Sequence, residues 1–373
     1  VHPIVRETKI KNVFFLYRLA FPSLNYVYLE TKGAEKMKKK LVVLVMAMLA
    51  ILMLAACGEK SKEDVTKDLK SKVEDMKGYK ADAKMTLQVG DEPQTYDVEV
   101  WHNNPNYYRV ALKNAAKDQS QMILRNDEGV FVLTPALNKS FRFQSEWPNN
   151  SSQAYLYESL VQDVLEDKEA TFKETKSHYV FTTKTRYQNK QMLPTQEIAF
   201  NKKDLSPATV KVMDADHNSL VKVEFSKMDM KAAFDKKDFD MKKNMTGAQL
   251  EVPVTAGVED KEFTVLYPMS EITGTELVEE KEVATENGKR VVLTYDGEKS
   301  FTIIQEKTTV VPTMTVSTSL KGELVDLGFT VAAMTDTSIR WTNNGIDYML
   351  ASNDLTPSEM VMLAQSVQGS MVK

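Results

Sequence analysis

The side chains best suited to chemistry are few. The chain has one cysteine, Cys57, and four histidines at positions 2, 102, 178 and 217. A single thiol excludes a disulfide framework and any cysteine-based zinc site. The four imidazoles have no metal-ligand spacing between them. His217 lies in Asp214-Ala215-Asp216-His217-Asn218, whose acidic groups could hold a cation but which reads first as a solvated hairpin turn. No Gly-rich phosphate loop, G-x-S-x-G elbow or H-E-x-x-H helix occurs. Glu279-Glu280 reads as surface charge rather than a catalytic dyad. The sequence therefore predicts no catalytic residue, no metal and no dissociable cofactor. With 373 residues, 42% hydrophobic and 27% charged, it predicts ordinary folded domains, two by length.

Cys57 has a telling setting. Met37-Lys38-Lys39-Lys40 precedes an apolar run of 14 residues, Leu41 to Leu54, and small residues follow. A basic region, a short apolar core and a small-residue exit form a secretory signal, whereas a transmembrane helix needs about 20 apolar residues. Leu54-Ala55-Ala56-Cys57 resembles the lipobox of bacterial lipoproteins. That resemblance implies cleavage between Ala56 and Cys57, a diacylglycerol on the sulfur and an N-acyl group on the new terminus. Two or more acyl chains hold a protein to a bilayer where one is marginal. The expected location is the cell membrane, lipid-anchored on its extracytoplasmic face.

Residues 1–36 precede this signal and are expected not to be translated, with Met37 as the start. Lys32-Gly33-Ala34 can be encoded with a GGAG ribosome-binding sequence at a workable distance from Met37. Residues 37–56 are then the signal peptide and 57–64, five of them charged, a tether. Without residues 1–56 the chain has 39 basic and 49 acidic residues, a net charge of −10. That balance disfavours nucleic acid and holds the protein body off anionic headgroups.

The tether leads into an amphipathic helix with Val65, Leu69, Val73 and Met76 on one face and Gly78 as C-terminal cap. Period-two alternation then begins, and breakers such as Gly90-Asp91-Glu92-Pro93 and Asp127-Glu128-Gly129 separate successive strands. Six strands precede a helix near Ala154–Leu165, whose apolar side takes Leu156, Leu160, Val161, Val164 and Leu165; five follow. The prediction is an α+β fold: a curved antiparallel sheet of about 11 strands, an unclosed half-barrel with helices in its concavity, followed by a smaller α+β domain. Alternation places Met85, Leu87, Val98, Val100, Tyr108 and Val110 on the inward row, the candidate face for an apolar ligand.

Pro105-Asn106-Tyr107-Tyr108-Arg109, Asp118 to Leu124, Asp127-Glu128-Gly129, Val132-Leu133-Thr134-Pro135 and Ala232-Ala233-Phe234-Asp235 with Asp238-Phe239 resemble, in that order, the outer-membrane lipoprotein carrier (LolA/LolB-like) fold. The whole chain resembles the lipid-anchored sporulation YdcC and germination GerS group. The resemblance implies an unclosed barrel that takes acyl chains or a protein segment. Asn104 stands where the carriers have a basic gating residue, and a chain anchored by its own lipid cannot shuttle between membranes.

The half-barrel is expected over residues 65–245. A seam with Pro253 and Pro268 leads to a small module at 250–373, with Asn287-Gly288, Asp296-Gly297 and Asn344-Gly345 as hairpin turns. Thr356, Pro357 and Glu359 cap a final helix whose apolar side takes Met360, Val361, Ala364, Val367 and Met371. A large domain followed by a small one resembles the plan of the periplasmic regulators RseB and MucB. The expected function is a non-catalytic interaction or chaperone module for a protein partner in the cell envelope, in sporulation or germination. The alternatives are a lipid-binding protein that uses the concavity and, remotely, a hydrolase.

Overall fold

The period-two runs are strands in the computed structural model. It describes residues 60–373, except 89–92, 115–118, 188–189, 252–263, 286–287, 309–317, 321, 344 and 370–373. The signal segment, Leu54, Ala55, Ala56, Cys57 and Met371 lie outside the described residues.

Helix α1 (Lys62–Asp75) starts at a capping box in which Ser61 and Asp64 satisfy each other's backbone N–H groups. It buries Val65 and Leu69 and leads into β1 (Gly78–Leu87). A meander follows: β2 (Gln94–Asn103), β3 (Tyr107–Asn114), β4 (Gln119–Asn126), β5 (Gly129–Thr134) and β6 (Lys139–Phe143). Helix α2 (Tyr157–Glu166) carries the chain to a second meander of β7 (Thr171–Glu174), β8 (His178–Lys184), β9 (Thr195–Asn201), β10 (Pro207–Met213) and β11 (Ser219–Asp229). Pairing of β1 with β11 joins the two meanders into one sheet, which runs from β6 to β7 without those strands meeting. Its twelfth strand, β16 (Thr318–Leu320), comes from the C-terminal region and runs parallel to β6. The expected unclosed half-barrel is present, with one borrowed edge strand.

Gly78 is not the helix cap. Met76 ends α1, and Gly78 is already in β1. A Cβ there would lie 2.6 Å from the carbonyl oxygen of His102, so close approach of two backbones is what requires glycine.

On the convex side, helix α3 (Met241–Glu251) and the single turn before it bury Phe239 and Met245 against Tyr107, Met122, Leu124, Phe131 and Leu133. Arg109 of the carrier-like segment lies over the Trp101 ring at 4.4 Å and donates to Glu99 (2.5 Å) and to Asn244 (2.8 Å).

The C-terminal region folds into a seven-stranded antiparallel sheet. In spatial order it has β13 (Thr275–Thr285), β14 (Gly288–Gly297), β15 (Phe301–Lys307), β20 (Ile346–Ala351), β19 (Ser338–Asn343), β18 (Val331–Met334) and β17 (Glu323–Asp326). A short pair, β12 (Tyr267–Pro268) with β21 (Val367–Gly369), flanks helix α4 (Pro357–Ser366). The expected cap is in place: Thr356 Oγ1 accepts from the Glu359 amide, and the Glu359 carboxylate accepts from the Thr356 amide at 2.8 Å. Met360, Val361, Leu363 and Ala364 are buried against one face of the sheet. Among the described residues no helix is long and apolar enough to cross a membrane.

Candidate functional site

The predicted inward row lies on one face of the large sheet. Cross-strand pairs Ala83–Val98, Val98–Leu112, Ala81–Val100 and Val100–Val110 put these side chains side by side, and each of the six is at most 4% exposed. Met85 and Leu87 border a cavity. Tyr108 packs edge-on against the buried Trp147 and stacks on His102, and the rest lie in the continuous core.

The chain's own segments cover the inward row, while its cross-strand continuation through Ile123 to Val132 and Phe141 reaches a larger cleft. From one side comes α2, and it sits further in than its apolar stripe suggests. Its buried face takes Tyr157, Ser159, Leu160, Val161, Asp163 and Val164, while Leu165, expected inside, is 38% exposed. Asp163 is tolerated there because it is fully partnered. Its carboxylate accepts from Arg186 Nε (2.5 Å), Gln196 Nε2 (2.6 Å) and Ser152 Oγ (2.9 Å). Burial still raises its pKa above the ordinary aspartate value, although Arg186 and the two neutral donors act the other way. At the other end of α2, Glu158 lies 2.9 Å from His102 Nε2 and accepts from the Tyr79 hydroxyl at 3.0 Å. His102 Nδ1 is 3.1 Å from the carbonyl of Tyr107. Asn104 donates to the Met76 carbonyl at 3.0 Å and so ties off α1.

From the other side comes a turn of the second sheet. Residues Asp326 to Val331 connect β17 and β18 and bury Leu327 and Phe329. Gly328 has φ +86°, and a Cβ there would lie 3.5 Å from both Leu87 methyls. Glu323 accepts from Ser145 Oγ (3.0 Å) and Asn150 Nδ2 (3.1 Å), and the Val331 amide donates to Gln121 (3.2 Å). These bonds fix the hairpin on the large sheet.

A cavity of about 260 Å³ remains, walled by Met85, Leu87, Tyr155, Tyr187, Met192, Leu193 and Leu327, with Asp326 in its wall and Met269 at its edge. Asp326 accepts from the Gly328 amide (2.7 Å) and the Tyr155 hydroxyl (3.2 Å). Burial pushes its carboxyl up despite both bonds, and among the described residues no cation pairs with it. A larger cleft of about 690 Å³ lies between β5–β6 and the second sheet. Its charges mostly pair off, Lys139 with Asp347 at 3.0 Å and Arg290 with Glu306 at 2.6 Å.

Among the described residues, His178 and His217 belong to no group of three potential metal ligands. His217 has φ 64° in the turn before β11, where Asp214 accepts from the Asp216 and Asn218 amides. No group of three potential metal ligands occurs among the described residues. Asp163, Arg186 and Asp326 are absent from the sequence-based candidates. The available signal was a polar residue between Val161 and Val164 on an otherwise apolar helix face.

The fold is thus an unclosed antiparallel half-barrel stoppered by its own helix and by a hairpin of a second sheet. The chain belongs to the sporulation protein YdcC-like family, whose model matches residues 37–239. It is 53% identical over 339 residues to sporulation protein YdcC of Bacillus subtilis (strain 168), covering 91% of this chain and all of that one. Solved structures with some similarity include the MucA/MucB complex of Pseudomonas aeruginosa, 14% identical over 82% of this chain and 99% of that one, with a TM-score of 0.31. The CwlD amidase–GerS lipoprotein complex of Clostridioides difficile is 17% identical over 48% of this chain and 98% of that one, with a TM-score of 0.28. Likeness of that size fixes neither partner nor activity.

Proposed function

We propose that this sporulation-family protein is an extracytoplasmic lipoprotein, held on the cell membrane by a diacylglycerol, with an N-acyl group, on Cys57. In this reading residues 37–56 are a signal peptide, 57–64 a tether, and the half-barrel and C-terminal module a non-catalytic platform for one envelope protein. The observation that carries it is the covering of the inward row by the chain's own segments. A site for a lipid or other small molecule usually offers about 300–1,000 Å³; the inward row leaves about 260 Å³ beside Met85 and Leu87. The cleft of about 690 Å³ further along the same face is lined by the charged Lys139, Arg290, Glu306, Arg340 and Asp347, which does not suit acyl chains. Admitting a lipid there means displacing α2 or the β17–β18 turn, and with them the partners of Asp163 or Glu323. A protein partner needs only the outer surface and the cavity mouth. The acidic body supports a role away from anionic headgroups.

The test is affinity purification of the tagged chain from membranes of sporulating cells after mild cross-linking. One protein recovered in fixed stoichiometry, without bound lipid, is the expected result. Recovery of lipid with no protein partner overturns the proposal in favour of lipid binding.

A further inference from the structure

The residual cavity has a composition that points to a specific occupant. Its walls are apolar and aromatic, with two methionines, Met85 and Met192, and two tyrosines, Tyr155 and Tyr187. Asp326 supplies a carboxylate that has hydrogen bonds but no counter-charge among the described residues. A carboxylate held at an apolar wall without a cation, and only partly reached by solvent, costs the fold something. Its turn-forming bond to Gly328 would be served equally by a neutral asparagine, so the negative charge is not needed for that turn. The missing complement is a cation on an apolar stem.

The dimensions narrow the choice. The cavity's 260 Å³ falls below the roughly 300–1,000 Å³ of a small-molecule site. That leaves room for a single extended side chain rather than for the paired acyl chains of a membrane lipid. Lysine suits the site better than arginine, because its tetramethylene stem matches the Met–Leu walls and its compact ammonium needs one carboxylate rather than a bidentate partner. The tyrosine rings add a favourable field for the cation. At the mouth, Met269 is 58% exposed and Gln88, Ser270 and Ser366 form a polar border, an apolar contact beside a polar rim of the kind found where a protein docks.

We infer that the cavity is a socket for a lysine side chain of the partner protein, with Asp326 as the residue that reads its charge. This rests on the proposed role as a protein-binding platform and specifies the chemistry of that contact.

The experiment uses the full chain carrying Cys57→Ser and labelled with 13C at the methionine methyls. It is titrated with N-acetyl-lysine-N-methylamide and, separately, with the neutral norleucine analogue. The Met85 and Met192 resonances are expected to shift with the lysine probe and to respond at least tenfold more weakly to norleucine. In Asp326→Asn the lysine response is lost, while the methyl spectrum itself reports that the chain is folded; Asp347→Asn, in the other cleft, leaves it intact. Equal responses to the two probes in the parent chain, no shift at Met85 and Met192, or an undiminished response in folded Asp326→Asn would each overturn the socket. The two proposals fail separately. A cross-linked partner whose binding ignores Asp326→Asn overturns the socket alone, and a lysine-selective cavity in a protein that recovers only lipid overturns the platform.

Discussion

Replacing Arg186 by alanine removes the cation that faces Asp163 and tests whether α2 is locked inside the half-barrel. Asp163 is wholly buried and Arg186 about one-fifth exposed, so solvent does little to screen the pair. Removing one partner of a buried ion pair costs about 3–5 kcal/mol. The bonds from Ser152 and Gln196 remain, so about 3 kcal/mol, the lower end of that range, is expected. With a urea m-value of about 3 kcal/mol/M, the midpoint falls by about 1 M. Asp163→Asn combined with Arg186→Met removes both charges and keeps an acceptor; its cost is expected to be at least about 1.5 kcal/mol smaller than that of Arg186→Ala alone. The pH dependence has a definite sign. A carboxyl whose folded pKa lies above its unfolded value favours the folded state at low pH and loses that contribution as pH rises through the folded value. Without Arg186 only the Gln196 and Ser152 bonds oppose the burial of Asp163, so the deficit against the parent chain is largest at pH 7 and shrinks as pH falls toward about 4. A loss below about 1 kcal/mol at pH 7, a deficit equal at both pH values, or a double variant as unstable as the single one would refute the lock.

Gly78→Ala places a methyl against the His102 carbonyl and is expected to lower stability by about 1–3 kcal/mol in urea titration; a loss under about 0.5 kcal/mol would mean that β1 and β2 part easily. Asp326→Asn removes a partly buried charge whose carboxyl is pushed up by desolvation, so the urea midpoint should rise at pH 7, with the gain fading as pH falls toward about 4. Stability gained with loss of lysine selectivity is the signature of a residue kept for binding. Thr356→Ala breaks the capping box of α4 and should cost about 1 kcal/mol, read as faster hydrogen exchange in the first turn of that helix.

The strands were legible because one face of each is buried, which writes period two into the chain. All eleven strands between Gly78 and Asp229 fall on runs read from alternation. The α4 cap was legible because Thr356, Pro357 and Glu359 act within one turn. What failed was tertiary. Gly78 looked like a helix cap because the His102 carbonyl that excludes a side chain is 24 residues away. Leu165 looked buried and Asp163 did not, since Arg186 and Gln196 reach α2 from another meander and reverse the usual preference for those two positions. The face of Met85, Leu87, Val98, Val100, Tyr108 and Val110 followed from alternation, but what covers it did not. The stopper between Asp326 and Val331 has no local mark beyond Gly328, and its docking sites at Ser145, Asn150 and Gln121 are more than 170 residues distant.

Native mass spectrometry of residues 61–373, offered liposomes of the cell's own lipids, bears most directly on the central claim that the half-barrel is closed by its own chain. The account predicts one unladen mass before and after exposure, with the α2 amides equally protected from exchange in both samples. An added mass of one or two acyl lipids, together with loss of α2 protection, would contradict it and make the concavity a lipid site.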